Sequence, residues 1–182
     1  MGRITRSVSP ILRTLCPEDA GDVHQAFASN IDMQRQGDVT TLDDAERYVS
    51  RLLSAGSPQL PWAICIDDRL VGLVNIGVDE ANRNGWFSYW MHVDGRGRGW
   101  TSRAAATVAN WALEGGGLER LELGHRANNP ASEAVAHAAG FVREGTERGK
   151  FLIAGDRIDV ATYGRLRSDP IPDTDVLPMI TA

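Results

Sequence analysis

The polar and apolar positions of the chain change period several times, and each change predicts an element. Ile11 to Leu15, "ILRTL", alternate as a strand does. Pro17 then stands at a first helical position before Glu18 and Asp19, and Ala20, Val23 and Phe27 share one face of the helix it opens. "ASNIDMQRQGDV" carries neither period and reads as an irregular loop. Thr41, followed by Asp44 as in a weak capping box, starts a second helix; Ala45, Tyr48, Val49 and Leu52 form its stripe and Gly56 ends it. From Trp62 the period shortens. "WAICI", an Asp67-Asp68 turn and "RLVGLVNIGV" predict a hairpin, "ANRNG" another turn, and Trp86 to Val93, "WFSYWMHV", a third apolar strand.

That strand runs into "DGRGRG", after which Ala104, Ala105, Val108, Trp111 and Ala112 make one helical stripe. "EGGG" breaks it, and Leu118 to His125, "LERLELGH", alternates as a strand. Asn129-Pro130 begins a further helix with Ala131, Ala134, Val135 and Ala138 on its apolar face and Gly140 as its stop. "FLIAG" and "IDVATYGRL" predict a closing hairpin through Gly155-Asp156, and the tail from Ser168, with its three prolines, reads as an arm or disorder. The order predicts a mixed α/β (α+β) sheet with flanking helices. The stretch strand–glycines–helix–strand should be a right-handed parallel crossover.

Composition narrows the function. At 182 residues the chain fits one domain with a full core, and 42% hydrophobic with 24% charged residues is ordinary globular usage. A net charge of −5 argues against nonspecific binding to nucleic acid or to an anionic membrane, so any phosphate site must be a local basic spot. No apolar run approaches the roughly 18 residues of a membrane helix, and the N-terminal residues lack a signal-peptide or myristoylation pattern. Cys16 and Cys65 lie far apart; two reduced thiols in a cytoplasmic protein is the reading preferred over one disulfide. With no Cys/His/Asp cluster at ligand spacing, no metal is expected; His24 and His137 fall in helices.

The glycine–arginine stretch is the candidate chemistry. A Walker A loop needs Lys-Ser or Lys-Thr after its last glycine, whereas Gly99 precedes Trp100 and Thr101. The dinucleotide fingerprint fails at Ser102 and follows a meander rather than opening a βαβαβ half. A strand end, close-turning glycines and a helix start at Gly99 to Ser102 nonetheless gather free N–H groups where a pyrophosphate would be favoured. Arg96, Arg98 and Arg103 add charge. A solvated turn is the competing reading.

These residues, in this order, resemble the GNAT superfamily of acyl-CoA-dependent N-acyltransferases, above all its RimJ/RimL-like branch. The family's Arg/Gln-x-x-Gly-x-Gly/Ala motif is matched by Arg96-Gly97-Arg98-Gly99-Trp100-Thr101, with Thr101 departing from the usual small residue. The branch's Asn-x-x-Ser and Gly-Phe are matched by Asn129-Pro130-Ala131-Ser132 and Gly140-Phe141. Ser88, in "SYWMHVDGRGRG", stands where glycine is usual, and "RIDVATYGRLRSD" is similar to the last strand. The resemblance covers roughly Ile11 to Asp169 and implies a GNAT-like fold, a mostly antiparallel sheet with a splayed parallel pair. The organisation is then a flexible N-terminus (1–10), one acyltransferase domain (11–169) and a C-terminal tail (170–182).

The resemblance implies transfer of an acetyl group from acetyl-CoA to a primary amine. Met91, His92 and Val93 would hydrogen-bond the pantetheine through the backbone, and Arg96 to Ser102 would hold the pyrophosphate. Asn129 would contact the pantetheine arm, and Ser132 would protonate the leaving thiolate, although serine is favoured at helix starts for local reasons too. An ammonium must first lose a proton. The carboxylate position of RimL-like enzymes is Phe151 here, and that of related N-terminal acetyltransferases is Gly124. Glu122, on the same strand face as Gly124, is therefore the first candidate base. His125 is the second, since imidazoles ordinarily titrate near neutrality. Either is also an ordinary polar strand residue.

The acceptor, a protein N-terminal amine or a small-molecule amine, should meet "SNIDMQRQGDV", the second helix start and the final hairpin. Asp32, Asp38, Asp43 and Asp44 there suit a cation or merely solvent. Of Tyr89, Trp90, Trp86 and Trp62, one or two should wall the cleft. Family precedent allows a homodimer. A non-catalytic acyl-CoA-binding module is the alternative, favoured by the missing carboxylates and opposed by the intact loop and Ser132.

Overall fold

The computed structural model describes residues 9–181. The expected flexible N-terminus, 1–10, lies largely outside the described residues, and Pro10 is already buried. The chain runs β1 (Ile11–Thr14), α1 (Ala20–Ala28), α2 (Leu42–Leu53), β2 (Gln59–Ile66), β3 (Arg69–Asp79), β4 (Asn84–Met91), α3 (Trp100–Glu114), β5 (Arg120–Arg126), α4 (Pro130–Ala138), β6 (Val142–Ile153), β7 (Asp156–Leu166) and β8 (Met179–Ile180). One eight-stranded sheet has the order β6-β7-β5-β4-β3-β2-β1-β8. This is the mixed sheet that the periodicity predicts. The β4–β5 neighbours are parallel, β1 and β8 are parallel, and the other pairs are antiparallel.

The two faces of the sheet divide the core by strand parity. Phe87 and Met91 of β4 and Leu121 and Leu123 of β5 pack with α3 and α4, including Val108, Ala112 and Val135. Trp90, from the alternate set, packs with Val23, Phe27, Val49 and Leu52 of α1 and α2. Helices α1 and α2 thus cover the β2–β4 half. Capping explains their ends. Asp44 N–H donates to Thr41 Oγ1 (3.2 Å) while the Asp44 carboxylate accepts from Thr41 N–H (2.9 Å), so both arms of the box form. The Asp67-Asp68 turn takes the left-handed backbone at both residues, with φ of 47° and 64°, as a tight two-residue hairpin needs.

Four segments depart from expectation. The 31–40 loop contains a 3-10 turn, Ile31–Arg35, started by Asn30, whose Oδ1 accepts from Asp32 N–H (2.8 Å), and anchored by buried Met33. Strand β4 ends at Met91 rather than Val93, because His92 Nδ1 accepts from Asp94 N–H (3.2 Å) and caps a 3-10 turn over Val93–Gly95. Strand β6 begins at Val142, well before "FLIAG"; its polar, glycine-interrupted residues form an exposed edge and have no apolar period to read. The tail is a docked strap rather than a free arm. Thr174 Oγ1 donates to Ala138 O (2.7 Å), Leu177 is buried with its N–H on Thr107 Oγ1 (2.8 Å), and β8 pairs with β1.

Leu177 anchors this strap. Leu177→Ala is expected to cost about 2–5 kcal/mol, read as a lower urea midpoint at unchanged slope.

Candidate functional site: a cleft where two parallel strands part

Strands β4 and β5 pair at Asn84–Arg120, Gly85–Leu121 and Trp86–Glu122, and there the pairing stops. Glycine at 85 permits the close vertex. A Cβ there would lie 2.5 Å from Ile76 and 2.9 Å from Leu118 and Leu121. Beyond it the same face of β4 carries Phe87, Tyr89 and Met91, and the strands separate. His92 N–H donates to Val71 O of β3 (2.8 Å). By strand alternation the backbone groups of Trp90 also face β3, and those of Met91 and Tyr89 face the gap. Unpaired strand backbone of this kind calls for a partner.

A cavity of about 610 Å³ opens there. Helix α4 enters it by its N-terminus. Asn129 caps the helix, its Oδ1 accepting from Ser132 N–H (3.2 Å), and Pro130 takes the first helical position. The Ser132 carbonyl accepts from Tyr89 Oη (3.1 Å), so Ser132 is clamped to both α4 and β4 while it lines the cavity. Burial pushes the Tyr89 phenol up to about 12, so it stays a donor across the neutral range. At the far end of α4, buried Arg165 donates to Ala139 O (2.8 Å) and to Asn110 Oδ1 of α3 (2.7 Å), locking the two helices together.

The glycine stretch lies at the end of the gap. Gly97 and Gly99 take φ of 71° and 73°, with no heavy atom within 4 Å of a built Cβ, and Gly99 is the N-cap of α3. The first amides of α3 are thereby presented outward. Arg96 Nε donates to Met91 O (3.2 Å), and Arg98 Nε donates to Asp94 O (3.1 Å) while its guanidinium lies over the Trp100 ring. Arg103 is turned away, donating to Asp175 O and Val176 O (both 3.3 Å), so it holds the tail instead of adding to this basic spot.

Residues 11–142 match the acetyltransferase (GNAT) domain family. The chain belongs to the GNAT acetyltransferase family. This GNAT acetyltransferase is 27% identical over 101 residues to the ribosomal-protein-serine acetyltransferase of Escherichia coli (strain K12), 55% of this chain and 56% of that one. It is also 27% identical over 104 residues to YdaF of Bacillus subtilis (strain 168), named as a candidate ribosomal N-acetyltransferase, 57% of each chain. The chain thus spans between half and two thirds of the length of the curated relatives it matches. Among solved structures, RimL, a ribosomal L7/L12 α-N-protein acetyltransferase in complex with coenzyme A, superposes at a TM-score of 0.79 and 22% identity, over 90% of this chain and 97% of that one. MccE, a microcin C7 self-immunity acetyltransferase in complex with acetyl-CoA and AMP, follows at 0.75 and 18%, over 84% and 89%.

The structure gathers some of the sequence-derived site residues of this GNAT acetyltransferase and disperses others. Met91, Arg96, Thr101, His125, Asn129 and Ser132 line this same cavity. Gly97, Arg98, Gly99, Trp100 and Ser102 lie outside its lining, at the surface end of the gap, and so do His92 and Val93. Val93 N–H, expected as a ligand donor, is within 3.3 Å of Ser29 Oγ. Glu122 sits at the closed vertex, bonded by Arg120 Nε (2.9 Å), outside the residues that line the cavity.

His125 is buried, stacked on Tyr163 with ring centroids 5.0 Å apart. Its Nδ1 lies 2.9 Å from Arg126 O; a carbonyl can only accept, so Nδ1 carries the proton and Nε2 keeps a lone pair without a partner. Asp32 lines the cavity beside Arg35 (3.0 Å), whereas Asp44 is spent on the α2 cap, and Asp38 and Asp43 lie outside. Trp86, Tyr89 and Trp90 reach the wall; Trp62 is core. Arg35 lies in the segment expected to meet the acceptor, whereas sequence reasoning missed Arg126, which alternation from Gly124 could have found. Among the described residues no His/Cys/Asp/Glu group is arranged to hold a metal ion, and no helix is long and apolar enough to cross a membrane.

Asn129 makes the cap on which α4 and Ser132 depend. Asn129→Ala is expected to cost about 0.5–2 kcal/mol, checked by chemical denaturation.

Proposed function

We propose that this GNAT protein is an acetyl-CoA-dependent N-acetyltransferase of the cytoplasm whose acceptor is a primary amine, of a protein N-terminus or of a small molecule. The observation that carries the reading is the gap between β4 and β5, bounded by the α3 N-terminus at one end and Ser132 at its side. The donor fits this chain's own groups. Left-handed Gly97 and Gly99 turn the first amides of α3 outward, Arg96 and Arg98 stand beside them, and β4 has no strand partner on the β5 side beyond Trp86. The RimL and MccE complexes with coenzyme A and acetyl-CoA support the same reading.

Bound acetyl-CoA supplies a thioester whose carbonyl an unprotonated amine can attack. The α3 amides and Arg96 to Ser102 hold the pyrophosphate, and the Met91 backbone and Asn129 orient the arm. Ser132 donates a proton to the departing thiolate. His125 serves as the proton acceptor in this reading, since the residue lines the cavity and its Nε2 has no hydrogen-bond partner.

Free-thiol release from acetyl-CoA over a panel of N-terminal peptides, aliphatic amines and aromatic amines tests this. Turnover with at least one class is expected. Coenzyme A binding without turnover of any amine would leave only a binding module. Ser132→Ala is expected to lower kcat about 10- to 100-fold with little change in the KM for acetyl-CoA, and His125→Gln about 100-fold. Gly99→Ala places a side chain at φ 73° and should instead raise that KM.

A further inference from the structure

The half of the sheet formed by β5, β7 and β6 carries an apolar floor that no helix covers. Trp86, 47% exposed, lies across β5 over Gly124, where a built Cβ would be 3.3 Å from its indole and 3.2 Å from Val160. Any side chain at 124 would lift the ring. Phe151, 42% exposed, stands opposite Ile158, on the same face as Val160 by register. Its placement is built by a bulge in β6 between Glu147 and Phe151. Gly149, at φ 59°, donates its N–H to Asp159 Oδ1 (2.7 Å), and Arg157 Nη1 donates to Gly149 O (3.2 Å). Bulges of this kind re-aim a side chain beside a site. Both rings line the same cavity as Ser132.

The charges around this floor restrict the ligand further. Of the charged lining residues, Arg96 belongs to the donor end, its Nε on Met91 O, and the single acid, Asp32, is already paired with Arg35, which leaves Arg126 without a lining carboxylate to answer it. A second positive charge on an acceptor would be repelled. Flat π faces with no free anion beside them suit a stacked ring rather than a cationic chain.

The geometry points to an acceptor that is a monoamine bearing a flat aromatic or heteroaromatic ring, neutral or anionic elsewhere, with Trp86 and Phe151 as its specificity-determining platform. This rests on the acetyltransferase reading above. A polyamine is the class it excludes.

The test compares kcat/KM for tryptamine, n-hexylamine and spermidine in the full chain with acetyl-CoA, for wild type, Trp86→Leu, Trp86→Phe and Phe151→Ala. Tryptamine is expected to exceed both other amines by about 10-fold or more. That ratio should collapse toward one in Trp86→Leu and in Phe151→Ala, and persist in Trp86→Phe. Saturation-transfer NMR with tryptamine in the absence of acetyl-CoA gives a readout independent of turnover, and Trp86→Leu should lose the ring-proton signal. Equal rates for the three amines, a preference for spermidine, or a ratio unmoved by Trp86→Leu would overturn the proposal. Absence of thiol release from every amine would overturn the acetyltransferase reading instead, and the NMR experiment alone would then decide whether the platform takes a ring.

Discussion

Parallel strands that pair at three positions and then part leave backbone donors and acceptors facing each other across empty space. In β4 and β5 the last pair is Trp86–Glu122, next to the close vertex that Gly85 allows. Sheet backbone is ordinarily satisfied by its neighbour. Here β5 no longer pairs with the part of β4 that ends at Met91, whose carbonyl is met instead by Arg96 Nε. The cavity, the α4 entry and the glycine turn are all arranged around that gap.

The gap would collapse or drift if its borders were soft. Helix α4 is therefore tied at both ends. Tyr89 and Asn129 hold Ser132, and the buried guanidinium of Arg165 holds Ala139 and Asn110 together. The C-terminal strap adds a third tie, through Thr174 to α4, Leu177 and Arg103 to α3, and β8 to β1. These contacts lie away from the cavity, yet they keep α3 and α4 in register with the two strands.

Strand parity assigns each residue of β5 to one side of the sheet. Leu121, Leu123 and His125 face α3 and α4, while Glu122, Gly124 and Arg126 face the open half with Trp86. Glu122 is the carboxylate on the open side, at the closed vertex and bonded by Arg120. The open side is furnished with aromatic rings and guanidinium groups, a chemistry that recognises more than it reacts.

Local periodicity and turn chemistry determined most elements by themselves. The α2 box at Thr41 and Asp44, the Asp67-Asp68 hairpin, the Gly97/Gly99 turn and the Asn129 cap depend on neighbours within a few residues, so the sequence specifies them directly. Polar β6 was not legible, because an edge strand exposed on both faces has no periodicity to show. Nor was the docked tail, whose order comes from Thr107, Ala138 and β1, all distant in the chain. The spending of Arg103 on that tail and the placing of Trp86 and Phe151 on one cavity wall were decided only by tertiary structure. Each depends on which strand lies beside which, and an eight-stranded order of 6-7-5-4-3-2-1-8 brings together residues that no local pattern connects.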